Sequence, residues 1–200
     1  MTVGIVDYGC GNLFSLISMF DSLGVKAIAA DDAVTLYKCD KVVLPGVGAF
    51  GAAVESLRSR GLMPVVNAIA KSTPMLGICL GMQLLFDRSY EYGINDGLGI
   101  VRGEVKPIPQ TSGLKIPHMG WNALNIVKQS RLLKNISSGE YVYFVHSYCA
   151  CDCDDSVVAT VDHGTSIVAA VERGHVFGTQ FHPEKSGETG LKIMRAFMEI

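Results

Sequence analysis

The sequence predicts an α/β protein: an open, mixed, mostly parallel sheet with helices on both faces and antiparallel additions in the C-terminal half. Three observations carry this reading. From Val3 to Ile78, short apolar runs alternate with helix-length amphipathic segments, as parallel βαβ units require. Beyond Val101 the spacing tightens, with prolines at 107, 109 and 117 and turn signals between apolar segments, which favours hairpins. Between the halves, Gly77-Ile78-Cys79-Leu80-Gly81 forms a strand-to-helix corner.

Val3–Asp7 reads as a buried first strand, followed by a Gly-rich turn and a helix over Asn12–Leu23. Asn12 suits the N-cap and Gly24 the residue past the C-terminus. Strands follow at Val25–Ala29 and Lys41–Leu44, the second ending in Pro45-Gly46-Val47-Gly48. Helices are expected over Gly51–Arg60 and Pro64–Lys71, then a strand at Met75–Ile78 that feeds the corner and a helix-like Met82–Phe86. The second half carries strand-like Asn122–Val127, Tyr141–His146, Val157–Val161, Ile167–Glu172 and His175–His182. Asp162-His163-Gly164 and Arg173-Gly174 supply hairpin turns, where His163 and His175 read as exposed turn residues. A C-terminal amphipathic helix aligns Leu191, Met194 and Met198.

The 200 residues suit a single domain spanning 1–200. A 48% hydrophobic content and mean hydropathy of +0.30 imply a large core. The net charge of −2, with no basic run, gives no electrostatic case for nucleic acid or an anionic membrane as partner. Met1-Thr2-Val3-Gly4 lacks a positive leader, and the longest apolar stretch, Met75 to Phe86, is too short to span a bilayer. A cytoplasmic location follows as the expectation, with the six cysteines reduced. If Cys149, Cys151 and Cys153 lie on one strand they face one side, yet no second ligand pair with zinc spacing accompanies them, so no metal and no cofactor is expected.

The chemistry centres on Cys79. A Gly-x-Cys-x-Gly turn leaves no room for side chains beside the nucleophile and sets its thiol at a helix N-terminus, which favours the thiolate. His182-Pro183-Glu184 places a base and its orienting carboxylate just past a strand end. The Pro45–Gly48 loop, at Val47 and Gly48, offers amides that complete an oxyanion hole with the amide of Leu80. Each piece alone is a modest signal. Together, all at strand ends where α/β active sites form, they point to acyl transfer through a cysteine.

Gly77-Ile78-Cys79-Leu80-Gly81-Met82-Gln83 with Gln180-Phe181-His182-Pro183-Glu184 resembles the triad segments of class I glutamine amidotransferases, whose fold is flavodoxin-like. Asp7-Tyr8-Gly9-Cys10-Gly11-Asn12, Pro117-His118-Met119-Gly120-Trp121-Asn122 and Phe144-Val145-His146-Ser147-Tyr148 narrow the resemblance to the glutaminase subunits of imidazole glycerol phosphate synthases. It runs nearly end to end. The resemblance implies that Cys79 forms a glutamyl thioester, His182 shuttles protons and Glu184 supports it. It places Gly46, Gly48, Gln83, Glu91, Ser147 and Tyr148 around the glutamine, with Glu91 against its ammonium. Ammonia would pass to a (β/α)-barrel cyclase subunit in a heterodimer, in histidine biosynthesis.

Trp121, the only tryptophan, follows what reads as a turn and suits an exposed interface anchor. Tyr143, Lys185, His118 and Met119 join it on the rim that the resemblance turns toward the cyclase. His146 lies at a strand end and is expected to order the glutamine loop rather than act as base. Cys149–Asp155 matches no motif of that family. Alternatives are a paralogous glutaminase feeding a sugar-amidating barrel synthase, a hydrolase of the same elbow superfamily, and a silent regulatory partner. Hydrolases of that kind usually place a histidine directly after the nucleophile, where Leu80 stands.

Overall fold

The computed structural model describes residues 1–110 and 114–200. Its main sheet has nine strands. Strands β1 (Thr2–Val6), β2 (Lys26–Ala30), β3 (Lys41–Leu44) and β4 (Met75–Ile78) come first, joined by helices α1 (Leu13–Ser22), α2 (Ala33–Tyr37), α3 (Phe50–Ser59) and α4 (Leu62–Ile69). Helix α5 (Leu80–Leu84) follows β4 with only Cys79 between. The second half holds β5 (Arg88–Ser89), β6 (Asn95–Asp96), β7 (Glu104–Pro107), β8 (His118–Ile126), β9 (Tyr141–His146) and β10 (Tyr148–Cys151). It closes with β11 (Val157–Asp162), β12 (Ser166–Arg173), β13 (Val176–Thr179) and helix α6 (Gly187–Met198).

The order is β2-β1-β3-β4-β13-β12-β11-β8-β9, with β10-β7-β5-β6 forming a separate four-stranded sheet. β2, β1, β3, β4 and β13 run parallel, whereas β12, β11, β8 and β9 add antiparallel. The last parallel strand therefore comes from the C-terminus and pairs with β4 in register Gly178↔Gly77. That single pairing carries the segment after β13 to the segment after β4.

Alternation along the strands sends Val3, Ile5, Val43, Leu76 and Ile78 to a core shared with Leu16, Phe20, Ile193 and Phe197 of α1 and α6. Val6, Val42, Leu44 and Met75 face a second core with Leu36, Leu57, Val66 and Leu80 of α2 to α5. Helices thus cover both faces. Asn12 caps α1 by accepting from the Ser15 amide, and Gly24 follows the helix at φ +70°. Gly61, at φ +68°, separates α3 from α4, so both helices begin slightly earlier than the periodicity predicts.

Three sequence expectations need correction. β8 begins at His118 rather than Asn122, so Trp121 sits within a strand and is not preceded by a turn. The strand expected over His175–His182 is only Val176–Thr179: the Gln180 amide still donates to Ala169 O, but the His182 amide turns to Tyr143 O, and Pro183 opens a 3₁₀ turn, Pro183–Lys185. The helix after the corner is Leu80–Leu84 rather than Met82–Phe86. No residue pattern marks β5 and β6, whose two residues each are too few to show a period.

Candidate active site

Cys79 occupies the corner at φ 54° and ψ −111°, a backbone conformation that L-residues rarely adopt. Its amide donates to Thr179 O at 2.7 Å and its carbonyl accepts from the Gln83 amide, so β13 on one side and the first turn of α5 on the other hold the strained residue in place. The flanking glycines are sterically required. A Cβ on Gly81 would lie 1.9 Å from Leu44 O, and one on Gly77 would lie 2.7 Å from Gly81 O. A Cβ on Gly46 would lie 2.7 Å from the Tyr8 hydroxyl, which itself donates to Pro45 O at 2.7 Å and pins the start of the amide loop.

The structure brings His182 and Glu184 to the same place. His182 Nδ1 and Glu184 Oε1 are 2.7 Å apart, with both side chains almost fully buried. The His182 amide donates to Tyr143 O and the Ser186 hydroxyl to His182 O, which fixes the backbone on either side of the ring. Burial lowers the His182 pKa, but hydrogen bonds with Cys79 and Glu184 outweigh it and raise the pKa to about 9. The shift favours the protonated ring beside Cys79.

A pocket of about 360 Å³ opens over these groups. Val47, Gly48, Cys79, Leu80, Gln83, Glu91, Ser147, Tyr148 and His182, all expected at the site, line it. Val47 and Gly48 are exposed, and Gly48 stands at φ +99°. Gly46 is buried behind them, packed on Gly81 and Leu80. Glu91 Oε2 accepts from the Phe50 amide at 2.6 Å, so this carboxylate also caps the first turn of α3, just beyond the amide loop. Gln83 Nε2 donates to both Tyr148 O and Gln180 Oε1, each at 3.0 Å. Gln180 Nε2 in turn lies 3.7 Å from Cys79 Sγ. Gln180 carries no expected role in the sequence, where its one signal is an amide directly after an apolar strand; in the fold it is fully buried.

The expected rim divides. On β8, odd positions face out and even positions in, so Met119 (62% exposed) and Trp121 (54% exposed) lie on the surface. Trp121 pairs with Tyr143 across the strands, ring centroids 6.0 Å apart, and Lys185 Nζ stands 6.0 Å from the Tyr143 centroid. His118 is the exception. Expected on the rim, it is 3% exposed because its even position turns the ring inward, stacked on Phe144 and His163. His163 is half-buried by that stack, while His175 is exposed as expected.

Cys149, Cys151 and Cys153 do not share one strand, since β10 ends at Cys151 and Asp152 turns the chain at φ 56°. β10 is an edge strand of the small sheet. Among the described residues no group of three or more His, Cys, Asp or Glu side chains is arranged to hold a metal ion, and no helix is long and apolar enough to cross a membrane.

A cysteine on a strained strand-to-helix corner, a carboxylate-supported imidazole and an exposed glycine-containing loop around one pocket fit a cysteine acyl-transfer site on an α/β sheet. The chain belongs to the glutamine amidotransferase class-I family, whose profile matches residues 4–200. It is 47% identical over 204 residues to the imidazole glycerol phosphate synthase subunit HisH of Geobacillus sp. (strain WCH70), covering 99% of this chain and 96% of that one. The subunit HisH of Lacticaseibacillus casei (strain BL23) is 46% identical, over 98% of this chain and 94% of that one. A solved glutamine amidotransferase at 19% identity shares the fold with a TM-score of 0.76, covering 98% of this chain and 97% of that one.

Proposed function

We propose that this chain is the glutaminase subunit of an imidazole glycerol phosphate synthase. It hydrolyses glutamine to glutamate and passes the ammonia to a (β/α)-barrel cyclase, which forms imidazole glycerol phosphate and an aminoimidazole carboxamide ribotide. The observation that carries the reading is His182, held by Glu184 at 2.7 Å and lining the same pocket as Cys79. The near full-length likeness to HisH subunits supports the pathway and the partner. The cytoplasm is the matching location.

In this mechanism the Cys79 thiolate adds to the side-chain amide carbon, and the oxyanion takes amides from Leu80 and the Val47–Gly48 loop. His182 gives its proton to the amide nitrogen, ammonia leaves, and a thioester remains. Water then attacks the thioester, losing a proton to His182, and glutamate departs as Cys79 is released. Glu91 offers a negative charge to the substrate ammonium, and the backbone at Ser147 and Tyr148 lines the opposite wall. Met119, Trp121, Tyr143 and Lys185 form the patch that meets the cyclase. His118 is withdrawn from that patch, because it is buried.

The test is Cys79→Ala in the assembled complex. Synthesis from glutamine should disappear while synthesis from added ammonium salts persists. Loss of both would assign Cys79 to assembly instead of chemistry. The exposed Val47–Gly48 loop leads to a second expectation: the isolated chain hydrolyses glutamine slowly and the cyclase accelerates it. Equal rates with and without the cyclase would overturn that gating.

A further inference from the structure

Two buried histidines outside the reacting groups form a chain with a fixed direction. His146 Nδ1 lies 2.9 Å from Tyr148 O, and His146 Nε2 lies 2.9 Å from His118 Nδ1. His118 Nε2 lies 3.4 Å from Asn122 Nδ2. Both ends of the chain are anchored. The Tyr148 carbonyl only accepts, so His146 carries a proton on Nδ1. Asn122 has its amide oriented by two backbone groups, with Nδ2 donating to Asp162 O and Oδ1 accepting from the Ala123 amide, each at 2.8 Å. Nδ2 therefore faces His118 Nε2 as a donor, and that nitrogen is unprotonated. His118 must then hold its proton on Nδ1 and give the hydrogen bond to His146 Nε2. Among the described residues neither ring touches a carboxylate; their other aromatic neighbours are Phe144 and His163. Burial lowers both pKa values to about 4, consistent with two neutral rings.

The chain ends on the pocket wall. Tyr148 O accepts from His146 and also from Gln83, and Gln83 continues through Gln180 to Cys79 Sγ. Pairing with β7 holds the backbone on one side, with Tyr148 opposite Pro107 and Ser147 O accepting from the Ile108 amide at 2.9 Å, but without His146 the Tyr148 carbonyl would keep only the Gln83 bond on the pocket side. We propose that the His118–His146 pair, neutral and protonated on Nδ1 in both rings, is the positioning device that fixes the Ser147–Tyr148 wall of the glutamine pocket. His118 acts through His146 and touches no reacting group. The same strand that carries His118 inward presents Met119 and Trp121 outward, so the proposed cyclase patch and the pocket wall share one backbone. The inference rests on the glutaminase reading for its kinetic consequence, but not for its protonation pattern.

The experiment has two parts. Long-range ¹H–¹⁵N correlation spectra of the full chain at pH 7.5 report which imidazole nitrogen carries the proton, without any activity. Both His118 and His146 should be neutral Nδ1–H tautomers; an Nε2–H or cationic His146 would overturn the proposal. In the complex with the cyclase, His118→Asn keeps a donor near the Nδ1 position, whereas His118→Leu removes it, and both remove the ring stack. His118→Leu should raise KM for glutamine at least tenfold with kcat within about threefold, and His118→Asn should restore KM to within about threefold of the parent. Equal KM values for the two variants would show that packing alone matters and would overturn the positioning role. If His118→Leu does not fold, the tautomers and the His118→Asn kinetics still decide. A correct tautomer pattern in a parent chain without glutaminase activity would reject the functional reading and leave the geometry standing.

Discussion

His182 Nδ1 and Glu184 Oε1 stand 2.7 Å apart with only Pro183 between them in the chain. The strand ends at Thr179, and the 3₁₀ turn that Pro183 opens brings the carboxylate back to the ring. Because the His182 pKa is raised to about 9, its contribution to stability is fully present below the ordinary value near 6.5 and is lost as pH rises through about 9. Glutamine hydrolysis should show an alkaline limb near pH 9. Glu184→Gln should move the His182 titration downward, read by imidazole NMR, and an unmoved midpoint would contradict the role of the carboxylate.

The two neutral histidines give the opposite sign. With pKa values lowered to about 4, His118 and His146 leave stability intact above about 6.5 and erode it as pH falls toward 4. Urea unfolding at pH 7.5 and pH 5 should show a clear loss at the lower pH. His118→Asn should flatten that slope; an unchanged slope would assign the acid sensitivity to other groups.

In the proposed mechanism Glu91 has two tasks, since Oε2 already accepts from the Phe50 amide. Glu91→Gln removes the negative charge facing the substrate ammonium, and a hydrogen bond to a charged group contributes about 1.5–3 kcal/mol. KM for glutamine should rise roughly 10- to 100-fold with kcat nearly kept. Steady-state kinetics in the complex test this, and an unchanged KM would move the ammonium site elsewhere.

Gly81→Ala should be severe. Its Cβ would meet the Leu44 carbonyl at 1.9 Å, a rigid backbone contact that cannot move aside. A loss of about 3 kcal/mol or more is expected, measured by thermal or urea unfolding. A variant that melts with the parent would show that the corner has more freedom than this packing allows.

Trp121→Ala separates binding from folding. The ring is 54% exposed and stacks edge-on with Tyr143, so unfolding should change by about 0.5 kcal/mol or less. Affinity for the cyclase should fall by about 2 kcal/mol or more, roughly thirtyfold. Unchanged affinity would place the docking surface away from β8 and β9.

Much of the site was legible because its constraints are local. The glycines around Cys79 announce a corner that no Cβ can enter, and the proline between His182 and Glu184 announces the end of a strand. His118 is not legible from sequence because the apolar pattern starts the strand at Asn122, four residues after its true start, and so hides the inward and outward alternation of His118, Met119 and Trp121. The small sheet escaped notice because strands such as Arg88–Ser89 exist only through their partners.

By itself the sequence determined the alternating architecture, the nucleophile corner and the types of group that surround it, since periodicity and steric exclusion act over a few residues. Only the tertiary structure decided that Thr179 is paired with Ile78, which carries His182 from the far end of the chain to Cys79. It also decided that Glu91 gives one oxygen to α3, and that the His118 and His146 rings meet at 2.9 Å. Those relations depend on hydrogen-bond partners distant in the chain, and no local pattern encodes which distant donor will meet which acceptor.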